Sequence, residues 1–150
     1  MKNYKVGIIG ATGMVGQRFA TLLENHPWFT VTALAASKRS AGKTYKECVE
    51  SRWAMTTPIP KAMEDMIILD AANVEEVASK VDFVFCAVDM PKDQIRELEE
   101  AYAKAECPVV SNNSAHRHTP DVPMVIPEIN ADHIKIIDSQ RKRLGTKKGF

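Results

Sequence analysis

The sequence predicts an α/β fold: a doubly wound, mostly parallel sheet with helices on both faces, arranged as one domain over residues 1–150. Three observations predict it. The apolar run Val6-Gly-Ile-Ile9 stops at a glycine-rich turn, Gly10-Ala-Thr-Gly13-Met-Val-Gly16, and a helical pattern begins at once. Further strand-like runs recur at 30–36, 66–70, 81–88 and 107–110, with helical spacing between them. A content of 45% hydrophobic and 26% charged residues in 150 suits a single domain with its own core.

The first strand and its turn form the strongest signal. Glycine lets a pyrophosphate approach backbone N–H groups, and the N-terminus of the following helix offers unpaired donors and partial positive charge. The spacing is Gly-x-x-Gly-x-x-Gly, with Thr12 at the middle position of the more familiar Gly-x-Gly-x-x-Gly. Its placement between a buried strand and a helix favours a dinucleotide site over an ordinary tight turn.

Val15, Phe19, Leu22 and Leu23 recur at helical spacing, so helix one is expected from Met14 to His26, ending before Pro27. Thr30–Ala36 reads as the second strand, which completes a βαβ unit. An NAD site places an acid near the end of that strand, whereas an NADP site supplies cations and hydroxyls for the 2′-phosphate. Here Ser37, Lys38, Arg39 and Ser40 follow with no acid among them, which points to NADP rather than a solvated basic turn.

Residues 43–61 have no clean period and read as an irregular excursion. Met66–Asp70 is expected to be a short strand, Asn73–Ser79 a capped helical turn and Val81–Val88 a buried strand in which Cys86 packs as a small hydrophobe. Pro91 starts a helix to Ala105 with Ile95, Leu98, Ala101 and Tyr102 on one face. After the strand 107–110 comes a polar loop, Ser111–Pro120, at the carboxyl edge of the sheet, where open α/β folds bind ligands. Residues 124–126 read as an edge or connecting strand, and the cationic end from Arg141 to Phe150 as a solvated surface loop.

A net charge of +1 supplies no general field for nucleic acid or an anionic membrane. No apolar run is long enough to span a bilayer, a strand pattern begins within four residues of Met1, and Cys48, Cys86 and Cys107 lack metal or disulfide spacing. A cytoplasmic protein with reduced thiols is the expectation. His116, His118 and Asp121 lack a further metal ligand at suitable spacing, so no metal is expected. Arg117 is the better candidate, since a guanidinium grips a carboxylate or phosphate bidentately. No residue combination in the chain makes a convincing reaction centre.

Five runs together carry a resemblance: VGIIGATGMVGQRF (6–19), LAASKRSAGKTY (34–45), VDFVFCAVDMP (81–91), VVSNNSAHR (109–117) and PDVPMVIPEIN (120–130). In this order they resemble aspartate-semialdehyde dehydrogenases of the branch typical of archaea and fungi. The resemblance implies a Rossmann-type NADP-binding domain in which Gly10, Thr12, Gly13, Met14 and Val15 approach the pyrophosphate. It places Ser37, Arg39 and Ser40 around the 2′-phosphate, with Lys38 as a helper. It also implies that Asn112 and Arg117 help bind the acyl phosphate or inorganic phosphate.

Family members continue to a catalytic and dimerisation domain with an Asn-Cys nucleophile, and assemble as homo-oligomers, dimers or tetramers. That pair is not in this sequence, and none of its three cysteines matches the position. The implied role is the cofactor-binding part of an enzyme reducing aspartyl 4-phosphate to aspartate 4-semialdehyde in lysine, threonine and methionine biosynthesis, inactive as these 150 residues alone. Malonyl-CoA reductase and N-acetylglutamyl-phosphate reductase are the related alternatives, and a non-catalytic nucleotide-sensing module the alternative of another class. Apolar surface left uncovered, with self-association through it, is a further expectation.

Overall fold

The computed structural model describes residues 2–150. Five strands, β1 (Tyr4–Ile9), β2 (Phe29–Ala36), β3 (Leu69–Asp70), β4 (Phe83–Cys86) and β5 (Val109–Ser111), form one sheet in the order β3-β2-β1-β4-β5. All four pairings are parallel. The chain winds outward from β1 to one side, then crosses to β4 and winds the other way. That reversal leaves a crevice beyond the carboxyl ends of β1 and β4.

Strand alternation sorts the apolar residues into two cores. Val6, Ile8, Leu34 and Ala36 face one side with α1 (Met14–Leu23), α2 (Tyr45–Val49) and α3 (Lys61–Glu64). Ile9, Ala33, Ala35, Val84 and Cys86 face the other, against α4 (Val74–Ala78) and α5 (Lys92–Lys104). Because strands buried on both faces must be apolar at every position, β1, β2 and β4 read as near-continuous hydrophobic runs. Phe83 and Phe85 alternate with Val84 and Cys86, and Phe85 stacks on Phe19 of α1 at 5.0 Å.

Several expectations change. Helix one ends at Leu23 rather than His26, because Asn25 takes a left-handed conformation (φ 55°) and turns the chain. The excursion at 43–61 contains α2, a 3₁₀ turn (Glu50–Arg52) and α3. Thr44 and Glu47 form a reciprocal capping box at α2, a Thr-x-x-Glu signal that the sequence carries openly. Asn73 caps α4 without a side-chain bond to its backbone; its amide donates instead to Glu76 at 2.8 Å.

Residues 124–126 are not a strand. Pro123 and Pro127 lack the N–H a ladder needs, and Asn130 takes the local backbone for itself. Its side chain accepts from the Ile126 N–H at 2.7 Å and donates to the Met124 carbonyl at 3.0 Å. α6 (Pro127–Asn130) and a 3₁₀ turn (Ala131–Ile136) lead into α7 (Ile137–Leu144).

The cationic end is therefore not a solvated loop: Arg141–Leu144 complete α7 and the residues beyond dock on the domain. Arg141, Lys142 and Arg143 sit in the last turn of α7, where cations favour the helix dipole, and Gly145 closes it in the left-handed conformation. Residues 147–149 then dock. The Glu106 carboxylate accepts the backbone N–H groups of Lys147, Lys148 and Gly149 at 2.5–3.1 Å, and Val109 donates to the Phe150 carbonyl at 2.9 Å. These bonds hold the Glu106 carboxyl below the usual carboxylate range. No helix among the described residues is long and apolar enough to cross a membrane.

Candidate functional site

The glycine turn joins β1 to α1 at the crevice, and its three glycines have different surroundings. Gly10 has φ +85°, and a Cβ there would lie 2.5 Å from the Ala87 carbonyl oxygen, so the loops after β1 and β4 touch at this point. Gly16 packs α1 onto the turn: its Cβ would meet the Gly10 oxygen at 2.1 Å. Gly13 is exposed, and the nearest atom to a Cβ there is 3.6 Å away. Two glycines are thus required by the fold, and the third leaves open space.

Gly13 is the N-cap of α1 and makes no side-chain cap, and the first turn holds no acid. The N–H groups of Met14 and Val15 begin a helix and so lack intrahelical partners. Partial positive charge and free donors converge there, with Thr12 buried beside them. Met14 and Val15 also expose their apolar side chains at the mouth of the crevice.

The turn is bonded directly to the end of β2. Gly10 and Ala11 both donate to the Ala35 carbonyl, at 2.8 and 3.1 Å. Two residues later the chain enters Ser37–Ser40, closed by Ser40 N–H donating to Ser37 at 2.8 Å. Ser37, Lys38 and Arg39 are exposed, Ser40 is buried, and neither cation forms an ion pair among the described residues. The structure therefore brings the two sequence-predicted phosphate loops side by side.

Asn112 and Arg117 lie apart from these loops, beyond β5. Both line a cavity of about 550 Å³ between α5, β5, the 122–125 segment and α7. Its walls are mainly apolar, including Val110, Val122, Ile137 and Leu144. Glu99, 6% exposed, anchors the polar loop: Ser111 Oγ and Asn113 Nδ2 both donate to its Oε1. Arg96 Nε donates to the Ala115 carbonyl at 2.7 Å. Gln140 presents a buried side-chain oxygen without a partner among the described residues.

The two buried thiols are unsuited to attack. Burial, reinforced by the Glu99 charge, pushes Cys86 up to about 12, and burial pushes Cys107 up to about 11. His116 Nδ1 lies 2.9 Å from Thr119 Oγ1, and no group of three metal-capable side chains occurs among the described residues.

Sequence reasoning missed Gln17 and Tyr45, both buried against the turn, and the Ala87–Val88 backbone that meets Gly10. Gln17 is a polar residue on the buried face of α1, and that misplacement is the signal it offered.

Comparison with known proteins agrees with this geometry. A family model described as the NAD-binding domain of semialdehyde dehydrogenase matches residues 5–137. An aspartate-semialdehyde dehydrogenase of Archaeoglobus fulgidus is 44% identical over 95% of this chain and 39% of its own length. That of Aspergillus fumigatus is 42% identical over 97% and 39%. A crystal structure of the Candida albicans enzyme with NADP superposes with a TM-score of 0.86 at 38% identity, covering 99% of this chain and 41% of that one. The chain thus spans about two-fifths of the length of these relatives. On the match across 5–137, this chain belongs to the semialdehyde dehydrogenase family, of which it forms the NAD-binding domain.

Proposed function

We propose that the chain is the NADP-binding part of an aspartate-semialdehyde dehydrogenase, the enzyme that reduces aspartyl 4-phosphate to aspartate 4-semialdehyde with NADPH. The observation that carries the cofactor choice is the acid-free Ser37–Ser40 loop, whose cations form no ion pair among the described residues and which begins two residues after Ala35, whose carbonyl holds the glycine turn. The pyrophosphate lies against Gly10, Thr12, Gly13, Met14 and Val15, with the helix dipole and unpaired N–H groups opposing its charge. Arg39 grips the 2′-phosphate, assisted by Lys38 and the hydroxyls of Ser37 and Ser40. Bound NADPH supplies the hydride; these residues bind and orient it.

Asn112 and Arg117 form a separate subsite for the acyl phosphate or inorganic phosphate at the carboxyl edge of β5. Cys86 and Cys107 do not serve as the nucleophile in this reading, since both are buried and their thiols are pushed up, away from ionisation at neutral pH. The exposed apolar residues from Val110 to Ile136 and the orphaned Gln140 oxygen support a longer enzyme whose remaining part packs on this side and makes the homo-oligomer contacts. Three free cysteines suit the reducing cytoplasm.

Calorimetric titration of the chain with NADP and NAD tests the reading. NADP is expected to bind at least about tenfold more tightly, equivalent to about 1.4 kcal/mol. Equal affinity, or no binding of either, overturns it.

A further inference from the structure

We propose that Gln17 and Tyr45 are positioning residues for the dinucleotide: with the segment between Tyr45 and Ala54 they brace the glycine turn, Tyr45 aiming the Thr12 N–H at the pyrophosphate and Gln17 fixing the next peptide so that this aim holds. This rests on the reading of the turn as the pyrophosphate subsite. A peptide group is planar and trans, so its N–H points opposite to its carbonyl oxygen. Whatever fixes the oxygen aims the donor.

The peptide that carries the Thr12 N–H has the Ala11 carbonyl as its other end, and Tyr45 Oη donates to that oxygen at 3.1 Å. The next peptide is fixed at both ends: Gln17 Nε2 donates to its oxygen, that of Thr12, at 3.2 Å, and its Gly13 N–H donates to the Gly10 carbonyl at 3.2 Å. The second Gln17 amide hydrogen goes to the Arg52 carbonyl at 3.3 Å, and Gln17 Oε1 accepts the Ala54 N–H at 2.9 Å. A single buried amide therefore ties the turn to the 52–54 backbone. The reversed amide would set donor against donor at Ala54.

Tyr45 is held in turn. It is the first residue of α2, placed by the Thr44–Glu47 capping box, and its ring packs edge-on against Trp53 at 6.3 Å. Burial raises the phenol well above its ordinary range, so the hydroxyl stays a donor. Both side chains are almost fully buried and brace the carbonyls of Ala11 and Thr12, while the turn's own bonds occupy the Gly10, Ala11 and Gly13 N–H groups and leave that of Thr12 for ligand.

Titration of the chain with NADP and with adenosine 2′-phosphate tests this, because the second ligand has the 2′-phosphate but no pyrophosphate. Tyr45→Phe keeps the ring and removes one bond; Gln17→Met keeps the length and removes three. Each is expected to weaken NADP by about three- to tenfold while leaving adenosine 2′-phosphate within about twofold. Arg39→Ala is the opposite control, weakening both ligands. Parallel loss of both ligands in Tyr45→Phe and Gln17→Met, or unchanged NADP affinity in both, overturns the brace. Failure of one variant to fold leaves the other to decide, and failure of both assigns the pair to stability and overturns it. A wild-type chain that binds no NADP overturns the cofactor reading and the brace together; wild-type binding matched by both variants overturns the brace alone.

Discussion

Gly16 stands so close to Gly10 that a Cβ on Gly16 would lie 2.1 Å from the Gly10 carbonyl oxygen. The first turn of α1 is pressed onto the loop before it. Gly16→Ala is therefore expected to cost about 2–3 kcal/mol by overpacking against backbone. Gly13→Ala meets nothing nearer than 3.6 Å and should leave stability within about 0.5 kcal/mol. Its methyl group instead enters the ligand's space and should weaken NADP by about tenfold. Urea denaturation and calorimetry separate the two effects, and a Gly13→Ala chain that binds normally would remove Gly13 from the ligand face.

In the proposed binding mode Arg39 carries the cofactor preference. Arg39→Ala should weaken NADP by about ten- to a hundredfold, or about 1.4–2.8 kcal/mol, and change NAD by less than about twofold. Paired titrations with the two nucleotides check it. An equal loss for both would move Arg39 away from the 2′-phosphate.

Acid should release the docked end before it unfolds the sheet. Hydrogen bonds from the 147–149 backbone lower the folded-state pKa of Glu106, and the Arg143 guanidinium lowers that of Asp121. A depressed carboxylate stabilises at pH values above its unfolded pKa, about 3.9 for Asp and 4.3 for Glu, and loses that contribution as pH falls through the lower folded value. The amide signals of 147–149 are expected to titrate together below about pH 4.3. Glu106→Gln should flatten that titration and weaken the protection of the Val109 amide, read by NMR hydrogen exchange.

The apolar face from Val110 to Ile136 should drive self-association. Ile129 is 78% exposed, Met124 63% and Ile126 55%, an unusual cluster for a free surface. Light scattering of the chain is expected to show concentration-dependent association, reduced by Ile129→Lys with Ile134→Lys. A clean monomer at all concentrations would contradict it.

The sheet was legible because β1, β2 and β4 are buried on both faces, which forces long apolar runs, and because glycines mark the turn. The two proposed phosphate loops could be put forward from sequence for the same local reason: Gly10–Gly16 and Ser37–Ser40 are each contiguous in sequence. What escaped depends on distance along the chain. Gln17 reaches Ala54 across 37 residues and Glu106 reaches Gly149 across 43, contacts that no local pattern encodes. The 124–126 misreading has another cause: its β-branched residues favour a strand, but two prolines and the Asn130 amide consume the bonds a strand would need.

One carbonyl oxygen, that of Ala35, the penultimate residue of β2, receives both Gly10 and Ala11 only two residues before Ser37. In the proposed binding mode this makes the domain a caliper. Its two jaws, one for the pyrophosphate and one for the ribose phosphate, share a single hinge pin in the backbone, so their roots are held at one separation by two hydrogen bonds and a two-residue step. A nucleotide that carries its extra phosphate on the neighbouring ribose hydroxyl has the right charge and the wrong span. In that binding mode the short stretch of chain between Ala35 and Ser37, which sets where Arg39 starts, favours one isomer over the other.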